Sequence, residues 1–380
     1  MTNHRPIRLF VDAHVFDGPY QGTRSFIGGL YRELAGREGI ELYLAARDTA
    51  ALKEHFGERD GVHFVPLRSR SSYRRLLLEI PALLRRHRID FAHFQYIAPP
   101  LKRCRYIVTT HDVLFCDLPG AYTMGYRLLK RWLYGRTARR ADILTTVSAH
   151  ARGAMERHLR VPRERVHLLP NGVAPHFYGG APKGEAARYI REKYGLECFV
   201  LLVSRFEPRK NHALLLRLFF GSGLHRQGYR LVLIGSPTLP VPELDELLGR
   251  LSPSEQEALH HLPWVPPEDL PYFYKAAELF LYPSKGEGFG IPPLEAAAAR
   301  TPVLCSNALA LGDFDFFGPD HLDPADERAF ATRFQQLLQA PTPESELQRR
   351  AALVQARYCW KRSADTLHQL ILAHHQNLPA

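Results

Sequence analysis

Short apolar runs typical of β-strands alternate with longer helical patterns from one end of the chain to the other. Strands arranged in this way cannot pair as hairpins, because each one returns through a helix before the next begins. The alternation therefore predicts an α/β fold with parallel sheets. The predicted strands cover residues 7–11, 41–45, 62–65, 91–94, 106–110 and 143–147, and then 199–204, 230–234, 279–282 and 303–305.

A segment rich in proline and glycine, residues 170–182, interrupts the alternation and has no periodicity of its own. We expect it to link two domains, residues 1–175 and residues 176–359. The 380 residues of the chain are enough for two buried cores. Amphipathic helices are predicted at residues 344–358 and 360–375.

The sequence argues for a cytoplasmic protein without structural disulfides or zinc. It has no run of about 18 apolar residues and begins with a polar, basic stretch, so we expect neither a membrane span nor a signal peptide. The five cysteines are scattered and show no CxxC spacing. This argues against a disulfide framework and against a structural zinc site.

The net charge of +11 belongs to the first half of the chain. Residues 1–180 hold 29 Lys and Arg against 16 Asp and Glu, and the remainder holds 21 against 23. Large apolar residues accompany the basic ones at 73–78, 83–88 and 126–133. Such helices suit an anionic membrane surface or an acidic partner, although a solvated helix face gives the same pattern. Nucleic acid is not an expected partner, because no zinc-finger, RNP-like or basic-heptad motif occurs.

Basic side chains follow the strand predicted at 199–204, where the sequence reads SRFEPRKN and a helical pattern then begins. Parallel α/β sheets bind ligands beyond the carboxyl ends of their strands, where cations and helix amides stabilise phosphate charge. Arg205 and Lys210 are therefore candidate ligands of a diphosphate. A surface loop that is merely basic would have a similar sequence.

A glycine-rich loop follows the strand predicted at 279–282 and leads through Pro292 into an alanine-rich helix. Amides at the positive end of this helix can face hydroxyls or phosphate oxygens. These amides belong to Phe289, Gly290 and Ile291.

Two glutamates flank these amides, Glu287 on the loop and Glu295 about one turn into the helix. Carboxylates accept hydrogen bonds from the hydroxyls of sugars and ribose. We expect Glu287 and Lys210 to lie on loops, so that their replacement would remove activity and leave the protein folded.

The segment SKGEGFGIPPLEAAAARTPV resembles the donor-site signature of retaining glycosyltransferase family 4, in which seven residues separate two glutamates. SRFEPRKN resembles the Arg/Lys diphosphate clamp of the same family. Further short pieces follow the order of that family, so that the resemblance spans most of the chain. These pieces are residues 110–112, 146–148, 170–173, 233–235 and 270–277.

The resemblance implies a GT-B architecture, in which two facing Rossmann-like domains with parallel sheets enclose a cleft. It implies that the helix at about residues 360–380 packs back on the N-terminal domain, which holds the acceptor. It also implies that Arg205 and Lys210 neutralise the leaving diphosphate and that Glu295 holds the ribose hydroxyls. Glu287, with the amides of Phe289 and Gly290, would hold the transferred sugar.

The same resemblance assigns roles to residues outside the two motifs. His111 would lie near the sugar and the acceptor, and Val265 near the nucleobase. Gly22 and Thr23 stand in place of the glycine-rich loop that often follows the first strand in the family. Arg24 resembles an arginine of bacterial mannosyltransferases and favours GDP-mannose or a related GDP-sugar as donor.

The implied chemistry is transfer of a hexose with retention and without a metal or other cofactor. The usual proposal for the family is a short-lived oxocarbenium ion, with the leaving phosphate acting as base. Asp313-Phe314-Asp315 matches the DxD metal motif of the other large glycosyltransferase fold. It comes after the two-glutamate motif, so we interpret it as a loop.

From the basic first half of the chain we expect a glycan or lipid-linked acceptor in bacterial polysaccharide or lipopolysaccharide biosynthesis, reached through peripheral contact of the N-terminal domain with the inner membrane face. Arg300 occupies a position where the family commonly has glycine, which leaves the base and the sugar open. A UDP-sugar transferase and a GT-B sugar-nucleotide epimerase are the enzymatic alternatives. A membrane-associated scaffold that has lost the chemistry is the non-enzymatic one.

Overall fold

The computed structural model describes residues 5–18 and 21–376 of the chain, which form two compact units. The chain leaves unit 1 after Gly172, forms unit 2 from Val173 to Tyr358, and returns to unit 1 at Cys359. At the base of unit 2 the Val173 amide donates a hydrogen bond to the Tyr358 carbonyl, at 2.9 Å. Unit 2 is thus inserted into the sequence of unit 1.

Unit 1 contains a seven-stranded parallel sheet with the strand order β3-β2-β1-β4-β5-β6-β7. Its central strands are buried along almost their whole length, because helices cover both faces of a parallel sheet. The strands are Ile7–Asp12 (β1), Ile40–Ala46 (β2), Val62–Pro66 (β3), Phe91–Gln95 (β4), Arg105–Thr109 (β5), Ile143–Thr146 (β6) and Val166–Leu168 (β7).

The helices of unit 1 alternate with these strands, and a π-helical segment, Arg75–Glu79, joins α3 to α4. The last helix packs against α1, where Trp360 lies so close to Gly29 that an added Cβ would be 2.2 Å from its ring. The helices are Gly22–Leu34 (α1), Thr49–Phe56 (α2), Ser72–Arg74 (α3), Ile80–Arg86 (α4), Leu114–Asp117 (α5), Met124–Arg140 (α6), Ala149–Leu159 (α7) and, after unit 2, Trp360–Gln376 (α16).

Unit 2 contains a six-stranded parallel sheet with the order β10-β9-β8-β11-β12-β13. The strands are Phe199–Val203 (β8), Arg230–Ile234 (β9), Leu259–Leu262 (β10), Leu279–Tyr282 (β11), Val303–Ser306 (β12) and His321–Leu322 (β13). The helices are Lys183–Tyr194 (α8), His212–Gly221 (α9), Pro242–Gly249 (α10), Pro253–Ala258 (α11), Leu270–Ala276 (α12), Ile291–Ala298 (α13), Glu327–Gln339 (α14) and Glu344–Arg357 (α15).

Local signals in the sequence fix several helix starts. The Ser148 hydroxyl accepts a hydrogen bond from the third amide of α7, and the Asp326 carboxylate does the same for α14. Helix α13 begins directly after Gly290 and carries Pro292 in its first turn. The φ of Gly290 is 104°, a value that glycine adopts readily and other residues rarely do. Gly290 and Pro292 therefore define the point at which α13 begins.

The predicted α/β class with parallel sheets is confirmed. Every predicted strand is present, with ends that differ by one residue at most. Strands β7, β10 and β13 were not predicted. Among the described residues, no helix is long and apolar enough to cross a membrane.

Candidate active site

The Arg/Lys motif and the glycine-rich loop meet at the carboxyl edge of the unit 2 sheet. They follow β8 and β11, which are neighbours in that sheet. The Lys285 amide donates to the carbonyl of Arg209 at 2.7 Å, and the Asn211 side chain donates to the carbonyl of Pro283 at 3.2 Å. These bonds join the two loops into one structure.

The Glu287 carboxylate is the centre of this structure and is 6% exposed. Its Oε1 accepts hydrogen bonds from Lys210 Nζ at 2.7 Å, Ser284 Oγ at 2.7 Å and the Tyr282 hydroxyl at 3.0 Å. Its Oε2 accepts from Arg209 Nη1 at 2.6 Å. Burial acts to raise the pKa of Glu287, but the two cations and these hydrogen bonds outweigh it and lower that pKa to about 2.

Glu287 and Lys210 lie on the segments between a strand and the next helix, as expected, but both side chains are buried, which the sequence did not indicate. Lys210 ends the 3-10 turn Pro208–Lys210 and is 8% exposed. Both side chains belong to a buried ionic network, so removal of one partner leaves an uncompensated charge.

Arg209 is a member of this network that the sequence did not single out. Its Nε lies 2.8 Å from Glu207 Oε2, and its Nη1 also donates to the Gly286 carbonyl at 2.9 Å. Arg205 pairs with the other oxygen of Glu207 at 3.1 Å, and its side chain is 48% exposed. Arg205 is therefore the cation of this motif that a ligand can reach most directly. The sequence shows the cations but not which of them are enclosed.

Glu295 stands one turn into α13, as predicted. Its Oε2 accepts a hydrogen bond from the Tyr274 hydroxyl on α12 at 2.8 Å. Burial raises the pKa of Glu295 to about 7, and this hydrogen bond offsets only part of the effect. The carboxyl group can therefore hold or release a proton near neutral pH.

The loop between the two glutamates is anchored by a side chain. Phe289 is buried, and its ring centroid lies 5.8 Å from that of Phe314 and 5.7 Å from that of Tyr358. A Cβ on Gly290 would lie 2.3 Å from Leu311. The amides of residues 289–291 are thus held at the positive end of α13 by packing beneath them.

The segment predicted to meet the nucleobase follows β10, an edge strand of the sheet in unit 2. Val265 is buried there, whereas the preceding Trp264 is 70% exposed. The DxD residues lie in two consecutive 3-10 turns, in which Phe314 is fully buried and Asp315 pairs with Arg357 at 3.0 Å.

His111 lies in unit 1, two residues after the end of β5 at Thr109. Its Nε2 lies 2.6 Å from Gln95 Oε1, at the end of β4, so this nitrogen is the donor. The imidazole and the Phe26 ring pack edge to face, with centroids 4.8 Å apart. Burial lowers the pKa of His111 to about 3, which makes it a neutral imidazole at physiological pH. Sequence reasoning missed Gln95, although a polar residue ending an apolar strand was a usable signal.

Gly22 and Thr23 open α1, also in unit 1. A Cβ on Gly22 would meet no atom within 4 Å. Arg24 places its guanidinium 4.7 Å from the centroid of the Phe16 ring. The structure thus brings Arg205, Lys210 and Glu287 together in unit 2, with Glu295 on the adjoining helix, and holds His111, Gly22 and Thr23 in unit 1.

Two family models match the chain. The one described as Glycosyltransferase Family 4 matches residues 20–177, and the one described as Glycosyl transferases group 1 matches residues 185–354. Among curated proteins, O-antigen chain mannosyltransferase B of Escherichia coli is 29% identical over 258 residues. This alignment covers 66% of the present chain and 66% of that relative, slightly less than two thirds of its length.

Solved structures match almost the whole chain. Sucrose-phosphate synthase from Thermosynechococcus elongatus gives a TM-score of 0.76 at 17% identity and covers 99% of this chain and 100% of that one. HepE of Anabaena, solved in complex with UDP, gives 0.74 at 16% identity and covers 97% and 100%. These likenesses confirm the expected GT-B class of fold.

Proposed function

Because the chain belongs to glycosyltransferase family 4, we propose that it transfers a hexose, with retention, from a nucleotide sugar to a hydroxyl of a glycan or lipid-linked glycan. The observation that carries this proposal is the Glu287 network at the carboxyl edge of the unit 2 sheet, with Glu295 on the next helix. This network supports the proposal because cations, carboxyl groups and helix amides lie around one loop, and carboxyl groups of this kind can accept hydrogen bonds from sugar hydroxyls.

The negative charge that builds on the leaving diphosphate explains why cations and helix amides would promote transfer of the sugar. Departure of a nucleoside diphosphate builds negative charge on phosphate, which fixed cations and amides stabilise. Arg205 is exposed enough to meet the phosphates, and the amides of residues 289–291 supply the positive end of α13. No step in this scheme needs a divalent metal. The leaving phosphate receives the proton of the acceptor hydroxyl.

Glu287 keeps one acceptor site for the transferred sugar. Among the described residues, three protein donors bond to Oε1, whereas Arg209 alone bonds to Oε2. Each carboxylate oxygen offers about two lone-pair sites, so Oε2 is the atom that we expect to accept a hydrogen bond from a sugar hydroxyl.

GDP-mannose or a related GDP-sugar is the favoured donor. Its support is Arg24 beside Gly22 and Thr23, together with the name of the E. coli relative, an O-antigen chain mannosyltransferase. A UDP-sugar is the second candidate, because the structurally similar HepE was solved with UDP. The named relative also favours O-antigen or related lipopolysaccharide synthesis as the process.

Peripheral attachment to the inner membrane face is proposed from the surface of unit 1. Nine of the eleven exposed large apolar side chains among the described residues lie between Tyr73 and Trp132. Residues 68–140 also hold sixteen Lys and Arg against four Asp and Glu. On α6 the exposed Leu128, Leu129 and Trp132 share one face, with the Arg136 guanidinium 5.8 Å from the Trp132 ring centroid. Apolar and basic groups together suit an anionic lipid surface.

Vesicle sedimentation tests the attachment. The protein should sediment with phosphatidylglycerol vesicles and remain free with phosphatidylcholine vesicles at low salt. Replacement of Leu128, Leu129 and Trp132 by serine should abolish sedimentation, whereas Leu239→Ser in unit 2, which removes an equally exposed leucine, should not. Equal behaviour of these variants would exclude the α6 face as the contact.

A thermal-shift screen tests the donor. A nucleotide that binds the folded state raises its apparent stability, so GDP, UDP, ADP and dTDP and their common sugar conjugates are compared. We expect a shift with GDP and GDP-mannose alone. A shift with UDP compounds alone would move the donor to the second candidate, and no shift with any nucleotide would favour a scaffold.

Measuring the consumption of the nucleotide sugar with and without an acceptor distinguishes a glycosyltransferase from an epimerase. A transferase consumes the donor at an appreciable rate only when an acceptor is present. An epimerase changes the sugar of the donor without one, and that result would overturn the proposal.

A further inference from the structure

Asp12 and His14 form a hydrogen-bonded pair at the carboxyl end of β1 in unit 1. Asp12 is the last residue of the strand and is 2% exposed, and His14 begins the 3-10 turn His14–Asp17 that follows. His14 Nδ1 lies 2.9 Å from Asp12 Oδ1. Neither residue was singled out from the sequence.

The protonation of this pair is set by its chemistry. Burial acts to raise the pKa of Asp12, but His14 and Arg75 outweigh burial and lower it, so the group is a carboxylate. A carboxylate only accepts hydrogen bonds, and Nδ1 of His14 must therefore carry the proton. In the neutral ring the Nε2 atom is then an acceptor. It has no hydrogen-bond partner within residues 5–18 and 21–376, and the side chain is 32% exposed.

Arg75 is the third member of the cluster. Its Nη2 lies 3.6 Å from Asp12 Oδ2, and its side chain is 13% exposed. Its Nε is enclosed and, among the residues that the structure describes, has no hydrogen-bond acceptor. An enclosed N–H without an acceptor is costly unless a ligand supplies one. Arg75 opens the π-helical segment Arg75–Glu79, a type of distortion that is frequent at functional sites.

The cluster lies where a parallel sheet binds its ligands. The chain runs from β1 outward to β2 and β3, and then crosses to the other side of β1 to form β4. The change of direction between β1 and β4 is the topological switch point of the sheet. β4 ends at Gln95, which holds His111 after β5, so Asp12 and His111 lie at the carboxyl ends of nearby strands.

We propose that His14, oriented by Asp12 and flanked by Arg75, binds one sugar residue of the acceptor. His14 Nε2 accepts a hydrogen bond from a sugar hydroxyl, and Arg75 Nε donates one to an oxygen of the same sugar. A neutral polyhydroxylated ligand fits, because the two residues that pair with Asp12 offer one acceptor and one donor, and the carboxylate is already balanced by its neighbours. This inference rests on the proposed transfer to a hydroxyl of a glycan.

Saturation-transfer NMR with methyl α-mannoside, methyl α-glucoside, methyl α-galactoside and methyl N-acetyl-α-glucosaminide tests the subsite on the full chain without any nucleotide. At least one glycoside should receive saturation from the wild-type protein. His14→Gln should weaken its binding about tenfold, as expected for the loss of one hydrogen bond. Asp12→Asn should also weaken it, because an amide that donates to Nδ1 turns Nε2 into a donor.

The tautomer itself is a second readout that does not depend on activity. Ring ¹⁵N shifts of His14 should show protonated Nδ1 in the wild type and protonated Nε2 in Asp12→Asn. His158→Gln is the matched control, because His158 is 30% exposed and pairs with Asp117 in the same unit at 3.1 Å. This control should bind the glycoside as the wild type does.

The possible outcomes separate the two proposals. Equal glycoside binding by wild type and His14→Gln, or no binding of any of the four glycosides by the wild type, overturns the subsite. Glycoside binding that depends on His14 supports the subsite even if no nucleotide shifts the unfolding temperature. The absence of that shift would instead contradict the proposed donor site in unit 2.

Discussion

Replacement of Glu295 by Gln should stabilise unit 2 at neutral pH while weakening nucleotide binding. Burial raises the pKa of this carboxyl from 4.5 to about 7. Between these two values the folded protein keeps a proton that the unfolded chain has released. The contribution of Glu295 to the free energy of unfolding therefore falls as the pH rises from about 4.5 to about 7, and it is level above that range. Glutamine does not titrate and still accepts the hydrogen bond from Tyr274.

The size of the effect follows from the same pKa. One pKa unit corresponds to about 1.4 kcal/mol, so the ionised Glu295 costs the fold up to about 3 kcal/mol at pH 8 and nothing at pH 4. For a unit of this size, each kcal/mol moves the unfolding temperature by roughly 2–4 °C. The unfolding temperature of Glu295→Gln minus that of the wild type should therefore be roughly 6–12 °C larger at pH 8 than at pH 4.

Calorimetry of both proteins at pH 4, 6 and 8 without nucleotide measures this difference. Glu268→Gln, which changes an exposed carboxyl of the same unit, is the control and should show no pH-dependent gain. The nucleotide that stabilises the wild type most should stabilise Glu295→Gln less, since the variant changes the carboxyl that we propose binds the ribose. A stability difference that is the same at pH 4 and pH 8 would refute an enclosed, proton-holding Glu295.

Glu287→Ala should destabilise the protein by about 3–5 kcal/mol in urea unfolding, because it leaves the enclosed Lys210 without its carboxylate and Arg209 with Glu207 alone; an unchanged midpoint would contradict the buried network. Gly235→Ala should cost more than about 2 kcal/mol or prevent folding, since its φ is 139° and the new Cβ would lie 2.1 Å from the Ser204 carbonyl oxygen. Gly249→Ala, which meets nothing within 4 Å, is its control and should be near neutral. Transfer should survive EDTA, and activity restored only by Mn²⁺ or Mg²⁺ would overturn the metal-free scheme.

The strands that the sequence predicted are those with continuous apolar runs. Strands β7, β10 and β13 were missed, and all three lie at sheet edges. An edge strand is half open to solvent and can be short and polar. Residues 259–262, for example, read LHHL, and β13 is only His321–Leu322. Such strands are defined by the partner to which they pair rather than by their own composition.

The site was predictable in its residue types and spacing but not in its burial. Glu287 and Lys210 are recognisable because each follows a predicted strand within a distinctive motif. Their enclosure, and the contribution of Arg209 and Tyr282, arises where two loops separated by about seventy residues pack together. The sequence motif alone carries no information on that packing, so it does not indicate that Glu287→Ala would disturb a buried ionic network.

The insertion of unit 2 into unit 1 has a consequence for the order in which the protein is made. During synthesis the ribosome delivers all of unit 2 before it delivers Cys359 and the helix that begins at Trp360. That tryptophan fills the space beside Gly29 and Gly172, where an added Cβ would lie 2.2 Å and 2.4 Å from it. Unit 1 is therefore begun first and completed last, and its α1 lacks its partner helix while unit 2 folds.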